Sequence, residues 1–343
     1  MSRLRNFLIL SLSIVLTFVF IACSGSLKSG TSNLNEPRFQ EYLALPDLTG
    51  AGLGYSNANE HGWYEVFTDD FNASELDTSI WAYSPQSYRT KTQNAKHPEY
   101  TSYWCPDMVT INNGNLEIRA VQDDNYACSS DPSNPHPGRF TGGIETRFAI
   151  RDENGEIKTQ STIFEQAFGY FESRVKFPNE EGLWSAFWLQ SDTQGHVGHN
   201  GEDGTEIDVY ESAFIKHPSY MGHALLWDGY GEHQGLSDYR NDFSAISKNF
   251  YDDYHTFALK WTPYCYVFYT DGIPTWVSDD GGVSKVKQFL RLTVEIDEGD
   301  GWGPHAQKIG KFKSTGSVFL VDYVKVYQNL NYSEFEKTID DFK

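Results

Sequence analysis

Gly204-Thr-Glu206-Ile-Asp208-Val-Tyr-Glu211 places three carboxylates within six residues of a strand-like apolar run. In an extended strand side chains alternate, so Glu206 and Asp208 share one face while Ile207 and Val209 share the other. Strict alternation sends Glu211 to the wrong face. The spacing therefore predicts one extra residue around Val209-Tyr210, a β-bulge that returns Glu211 to the side of the other two acids. Three acids on one face raise each other's pKa, and desolvation adds to the effect, so such a row needs a reason to exist. One reason is a carboxylate nucleophile and a carboxylic acid set roughly 5–5.5 Å apart across a glycosidic bond. A solvated strand edge and a Ca²⁺-binding cluster are the other readings of the same residues.

The 343 residues bury a sizeable core without disulfide support, and one large β domain is the expectation. Aromatic content is 15%, with 9 Trp and 21 Tyr, which suits strands and flat sugar-stacking surfaces. Net charge is −20, so attraction to phosphate backbones or anionic lipid is disfavoured and nucleic acid is excluded as a partner. A densely sulfated polymer is disfavoured by the same field, less strongly.

The first 23 residues carry Arg3 and Arg5 and then an apolar run from Phe7 to Ala22, an export signal. Phe20-Ile-Ala-Cys23 looks like a bacterial lipobox, with Phe20 in place of the usual Leu, and implies lipidation at Cys23. Residues 24–55 open Ser-Gly-Ser-Leu-Lys-Ser-Gly-Thr-Ser and read as a flexible tether holding a domain over residues 56–328 away from a membrane, with 329–343 as a C-terminal tail. The expected location is the outer membrane or cell surface of a bacterium, by lipid anchor only, or secretion. Three cysteines remain. Cys105 and Cys128 would close a short loop, while Cys265 sits in the strand-like Tyr264–Tyr269 and reads as a buried apolar residue.

From Trp63 onward the text is repeatedly strand-like, over Trp63–Phe67, Met108–Ile111, Leu116–Val121, Gly169–Phe177, Leu183–Gln190, Thr205–Glu211, His223–Trp227, Thr256–Trp261, Tyr264–Asp271, Leu290–Val294 and Val318–Tyr327, with turn signals at Asn113-Gly114 and Asp271-Gly272. No helical periodicity of more than about three turns appears. The fold class is all-β, a two-sheet β-sandwich or jelly roll of concanavalin A-like type with a concave cleft.

These pieces together resemble glycoside hydrolase family 16, the β-jelly-roll endoglycanases that include laminarinases, lichenases, agarases and κ-carrageenases. Phe67-Thr-Asp-Asp-Phe71-Asn, Asn113-Gly-Asn-Leu-Glu-Ile-Arg119, Thr141-Gly-Gly-Ile-Glu-Thr146 and Gly169-Tyr-Phe-Glu-Ser-Arg-Val-Lys176 follow in the family's order. Gly182-Leu-Trp-Ser-Ala-Phe-Trp188 and the carboxylate strand come next, then Tyr254-His-Thr-Phe-Ala-Leu-Lys-Trp261 and Val321-Asp-Tyr-Val-Lys-Val-Tyr327, so the likeness spans residues 64–328. Ser185 stands where many members carry Pro, and Leu226 where several carry His.

The resemblance implies Glu206 as nucleophile, Glu211 as general acid/base and Asp208 as the residue that tunes the nucleophile. It implies a retaining endo-glycanase with no cofactor for catalysis, and the longer carboxylate spacing is similar to laminarinases and agarases; a monomer is the expectation. The polysaccharide expected first is a laminarin-like β-1,3(4)-glucan. A β-galactan of agar or carrageenan type is second, and a non-catalytic lectin is the reading from another class. Trp184 and Trp188, four apart on one strand, are expected to stack on sugar rings, with Trp227 and Trp302 rimming the cleft. The loop from Asp192 to Gly204 is expected to border it, with His196 and His199 solvated. Members of the family often hold a structural Ca²⁺ through an acid of the closing strand; Asp322 matches, with Asp70 as a further ligand.

Overall fold

A computed structural model describes residues 31–84, 103–130, 138–151, 157–212, 215–296 and 311–343. Cys23, the export signal and Trp302 lie outside the described residues. Two antiparallel sheets face each other across one core. The seven-stranded sheet runs, in spatial order, β15 (Gly235–Asp242), β14 (Tyr220–Trp227), β13 (Glu206–Ser212), β12 (Leu183–Gln190), β19 (Phe289–Ile296), β8 (Gly143–Glu145) and β2 (Ala82–Tyr83). The eight-stranded sheet runs β18 (Ile273–Ser278), β17 (Tyr266–Thr270), β16 (His255–Trp261), β11 (Gly169–Lys176), β20 (Val318–Asn329), β5 (Asn115–Arg119) and β4 (Val109–Asn112). Its eighth strand, β1 (Trp63–Asp69), pairs with the C-terminal half of the long β20. A hairpin of β9 (Arg147–Arg151) and β10 (Ile157–Thr162) and a small sheet of β3 (Tyr103–Trp104), β6 (Val121–Gln122) and β7 (Arg139–Thr141) complete the strands.

The sandwich follows from period-two patterning on both sheets. Phe187 and Leu189 of β12, Ile207 and Val209 of β13 and Leu290, Leu292 and Val294 of β19 point inward. They meet Phe171 and Val175 of β11 and Phe257, Leu259 and Trp261 of β16 in one continuous cluster. The two turn signals sit where expected. Asn113 and Gly114 have φ of 51° and 72°, and Asp271 and Gly272 have 49° and 75°, the left-handed pairs that two-residue hairpins demand. They join β4 to β5 and β17 to β18. Among the described residues no helix is long and apolar enough to cross a membrane.

The tether reading is corrected from Thr31 onward. Phe39 is buried in a second cluster with Trp63, Tyr170, Val267 and Tyr269, on the outer face of the eight-stranded sheet. Val277 N–H donates to Ser32 O and Asn33 Nδ2 donates to Val277 O, both at 3.1 Å. Lys260 Nζ donates to Ala44 O, and Tyr269 OH donates to Leu43 O at 3.2 Å. This segment lacks regular apolar spacing because it packs as a short 3₁₀ helix (Pro37–Tyr42) and irregular chain, so its anchors do not show as a period. Cys105 and Cys128 form a disulfide and Cys265 is a buried free thiol.

Candidate active site

The carboxylates are assembled by the register of β13. Against β12, Phe187 pairs with Tyr210 and Trp188 with Asp208, so Val209 is the extra residue. Against β14, Asp208 pairs with Ala224 and Glu211 with Gly222, so one residue of β14 opposes two of β13. The bulge read from the spacing is therefore present. It sends both Val209 and Tyr210 into the core and leaves Glu206, Asp208 and Glu211 on the outer face of the seven-stranded sheet.

Each outer acid of the row has its own supports. Glu206 Oε2 accepts from Gln190 Nε2 at 3.2 Å and from the Tyr230 hydroxyl. Gln190 Nε2 also donates to Tyr230 Oη at 2.6 Å, and its Oε1 accepts from Arg291 Nη1 at 3.1 Å. Glu211 Oε1 accepts from Trp184 Nε1 at 3.0 Å, and its Oε2 pairs with Arg240 Nη2 at 2.6 Å. Arg240 is fixed in turn by Asp238, at 3.0 Å from its Nε. Gly222 makes this pair possible: a Cβ there would come within 2.8 Å of Arg240 Nη1. Asp208 lies buried between the two glutamates. Burial, then the charges of Glu211 and Glu206, push its carboxyl well above the usual aspartate range, against the pull of Arg240.

Trp184 and Trp188 reach the carboxylate face, as their spacing requires, but both indoles are buried. Trp188 Nε1 donates to Thr293 Oγ1 at 3.0 Å, and the Arg291 guanidinium lies 4.0 Å from its ring centre. Both are also pinned by polar partners, and Trp184 holds Glu211 through its Nε1. Trp227 is corrected as well. Leu226 pairs with Glu206, so its neighbour Trp227 turns to the opposite face and packs on the core, tight against Gly235 and Gly281. The loop from Asp192 to Gly204 links β12 to β13. His196 and His199 are exposed on it, and His199 lies edge-on to Phe342 at 5.4 Å.

Among the described residues, Asp322 and Asp70 belong to no group of three or more side chains with metal-ligand spacing. Asp322 is the extra residue where the β11–β20 register shifts, and its Oδ2 lies 2.5 Å from Arg174 Nη1, so a guanidinium already neutralises it. Asp70 is exposed on the turn after β1. Among the described residues the one group with metal-ligand spacing is Cys105, Asp107 and Cys128, and its cysteines are joined in the disulfide. A Ca²⁺ site is not shown among these side chains.

Three supporting residues escaped the sequence reading. Gln190 was legible in principle, because it continues the alternation of Trp184 and Trp188 on one face. Tyr230 sits on a loop and reaches Glu206 only through the fold. Arg240 lies on β15, whose polar text Gly-Leu-Ser-Asp-Tyr-Arg-Asn-Asp carries no strand signal.

Residues 96–311 match the model of Glycosyl hydrolases family 16. The chain is 26% identical over 285 residues to the glucan endo-1,3-beta-glucosidase A1 of Niallia circulans, covering 77% of this chain and 37% of that protein. It is 26% identical over 340 residues to the keratan-sulfate endo-1,4-beta-galactosidase of Sphingobacterium multivorum, covering 96% of this chain and 68% of that protein. In three dimensions it superposes with a TM-score of 0.59, at 18% identity, on a structure from work on endo-acting O-glycanases of the human gut microbiota that initiate mucin breakdown, covering 81% of this chain and 95% of that one. The chain spans about half the length, or less, of the first curated relatives it matches. With the family's model covering well over half of its residues, and with the bulged carboxylate strand in place, the chain belongs to glycoside hydrolase family 16.

Proposed function

We propose that the domain is a retaining, endo-acting glycoside hydrolase that cleaves internal β-linkages of a polysaccharide by double displacement. The observation that carries this reading is the bulged row Glu206, Asp208, Glu211, in which each flanking acid is held by its own donors. Glu206 attacks the anomeric carbon while Glu211 protonates the leaving oxygen. Glu211 then deprotonates the water that releases the glycosyl group, with net retention. Both oxygens of Glu211 accept hydrogen bonds here, which is the arrangement of the base in the second step. Asp208, whose proton is favoured by burial and by the charges of Glu211 and Glu206, sets the field beside the nucleophile. Members of family 16 need no cofactor for this chemistry.

For the substrate we infer a β-1,3(4)-glucan of laminarin type. The glucan-cleaving relative from Niallia circulans supports it, and a net charge of −20 suits a neutral polymer. A β-galactan is the second reading, favoured because the galactosidase relative matches 96% of the chain. Reducing-end release from a panel of neutral glucans, agar-type galactans and keratan sulfate separates the two. Release from the glucans supports the first reading, and activity confined to galactans replaces it with the second. A protein that binds these polymers and hydrolyses none is a lectin, and product chain lengths above that of the substrate mark a transglycosylase. We further infer attachment to the bacterial envelope through lipid on Cys23; loss of membrane association in Cys23→Ala supports this, and retention overturns it.

A further inference from the structure

The bulge that aims Glu211 has an internal latch. Of β14, only His223 lies between Ala224 and Gly222, the partners of Asp208 and Glu211, so it stands opposite the two bulged residues. Its ring is fully buried on the core side, and Nδ1 lies 2.6 Å from the carbonyl oxygen of Val209, the extra residue. On the far side Nε2 lies 2.9 Å from Thr275 Oγ1 on β18, in the opposite sheet. Thr275 is itself an extra residue, because Phe268 pairs with Trp276 and Tyr269 with Pro274. One imidazole thus joins two bulges across the sandwich.

Proton counting assigns the tautomer. Burial lowers the His223 pKa to about 4, so the ring is neutral at neutral pH and carries one N–H. A bare nitrogen at 2.6 Å from a carbonyl oxygen is repulsive, so the proton sits on Nδ1 and is donated to Val209. Nε2 then accepts from the Thr275 hydroxyl, which otherwise has the Phe268 carbonyl within 3.1 Å. The ring is clasped among Phe268, Phe243 and Trp276, with centroids at 4.9, 5.9 and 6.4 Å. A bulge leaves its extra residue without a ladder partner, and a buried carbonyl needs a donor. His223 supplies it.

We propose that His223 is a positioning residue for the reaction: by donating to Val209 O it holds the bulge in the register that presents Glu211 to Trp184, Arg240 and the scissile oxygen. The proposal rests on the double-displacement reading. His223 touches none of the three acids' substrate-facing side, so its loss misaims the acid without removing it.

The test compares wild type, His223→Phe and His223→Asn on the polymer and on a dinitrophenyl glycoside, whose leaving group departs without a proton. His223→Phe keeps an aromatic ring in the clasp, and Thr275 can turn its proton to Phe268 O, so only the donor to Val209 is lost. An ångström-scale misplacement costs about 10²-fold, so polymer kcat/KM should fall by about that factor, while kcat/KM on the aryl glycoside, which reports glycosyl-enzyme formation before Glu211 is needed as base, stays near wild type. His223→Asn, whose amide restores an N–H near the Nδ1 position, should recover part of the loss. Parallel loss on both substrates in a folded protein, or no loss on either, overturns the proposal. Should His223→Phe fail to fold, Thr275→Val decides: a lowered polymer-to-aryl ratio supports the latch, and an unchanged ratio overturns it. Wild type that cleaves neither substrate instead removes the reaction on which the proposal stands.

Discussion

Asp208 is the residue whose chemistry and stability pull in opposite directions. Its folded-state pKa is raised by burial and by two flanking glutamates, so the folded protein holds this proton more tightly than the unfolded chain does. As pH rises through the ordinary aspartate value of 3.8 towards the folded value, the unfolded chain ionises first and stability falls; above both, the full penalty persists. Asp208→Asn should therefore raise the melting temperature at neutral pH, and the gain should disappear below the ordinary aspartate value, where both side chains are neutral. The same change alters the field at Glu206 and should lower kcat by about 10²-fold. Melting curves across pH, paired with rates, check both signs. The three acids were legible as a row because their spacing breaks period two by one residue. Their supports were not, because Tyr230 lies 24 residues and Arg240 29 residues along the chain from the acids they touch, and only sheet register brings them there.

At the scale of elements, strands with alternating apolar residues were readable and those without were not. Leu183–Gln190 matches its expected bounds, and the carboxylate strand is displaced from its expected Thr205–Glu211 by one residue. β15 and β18 were missed; one is polar, and the other begins Ile-Pro and carries a bulge. Trp227 shows the same limit, since its face is decided by pairing with a neighbour invisible in its own sequence. The segment from residue 31 to 55 was misread because its apolar anchors are irregularly spaced along a short 3₁₀ helix and irregular chain. Phe39 is the chief of these, only 3% exposed. Phe39→Ala should destabilise the fold by about 3 kcal/mol and expose the segment to protease. Denaturant unfolding and limited proteolysis give the two readouts, and an unchanged midpoint with unchanged cleavage would return the segment to a tether.

For the whole molecule, the sandwich carries the carboxylate row on one outer face and the segment from Thr31 onward on the other. Beside the seven-stranded sheet the Cys105–Cys128 disulfide closes a loop of sequence separation 23 inside a small cluster with Tyr103, Met108 and Phe140. On the chain-entropy account that link contributes about 3 kcal/mol, so reductant should lower the melting temperature of wild type and leave a Cys105→Ser/Cys128→Ser variant unmoved. Overall fold class was legible because both sheets share one period. The small sheet around the disulfide was not, because its strands are two or three residues long. The central claim, that Glu206 is the nucleophile of a retaining mechanism, is tested most directly by the configuration of the glycosyl azide that Glu206→Ala forms from an activated β-glycoside in the presence of azide. Deleting the side chain opens the face from which Glu206 attacks, so azide should enter there and give the inverted α-azide. A retained β-azide, or near-wild-type hydrolysis without azide, would contradict the account.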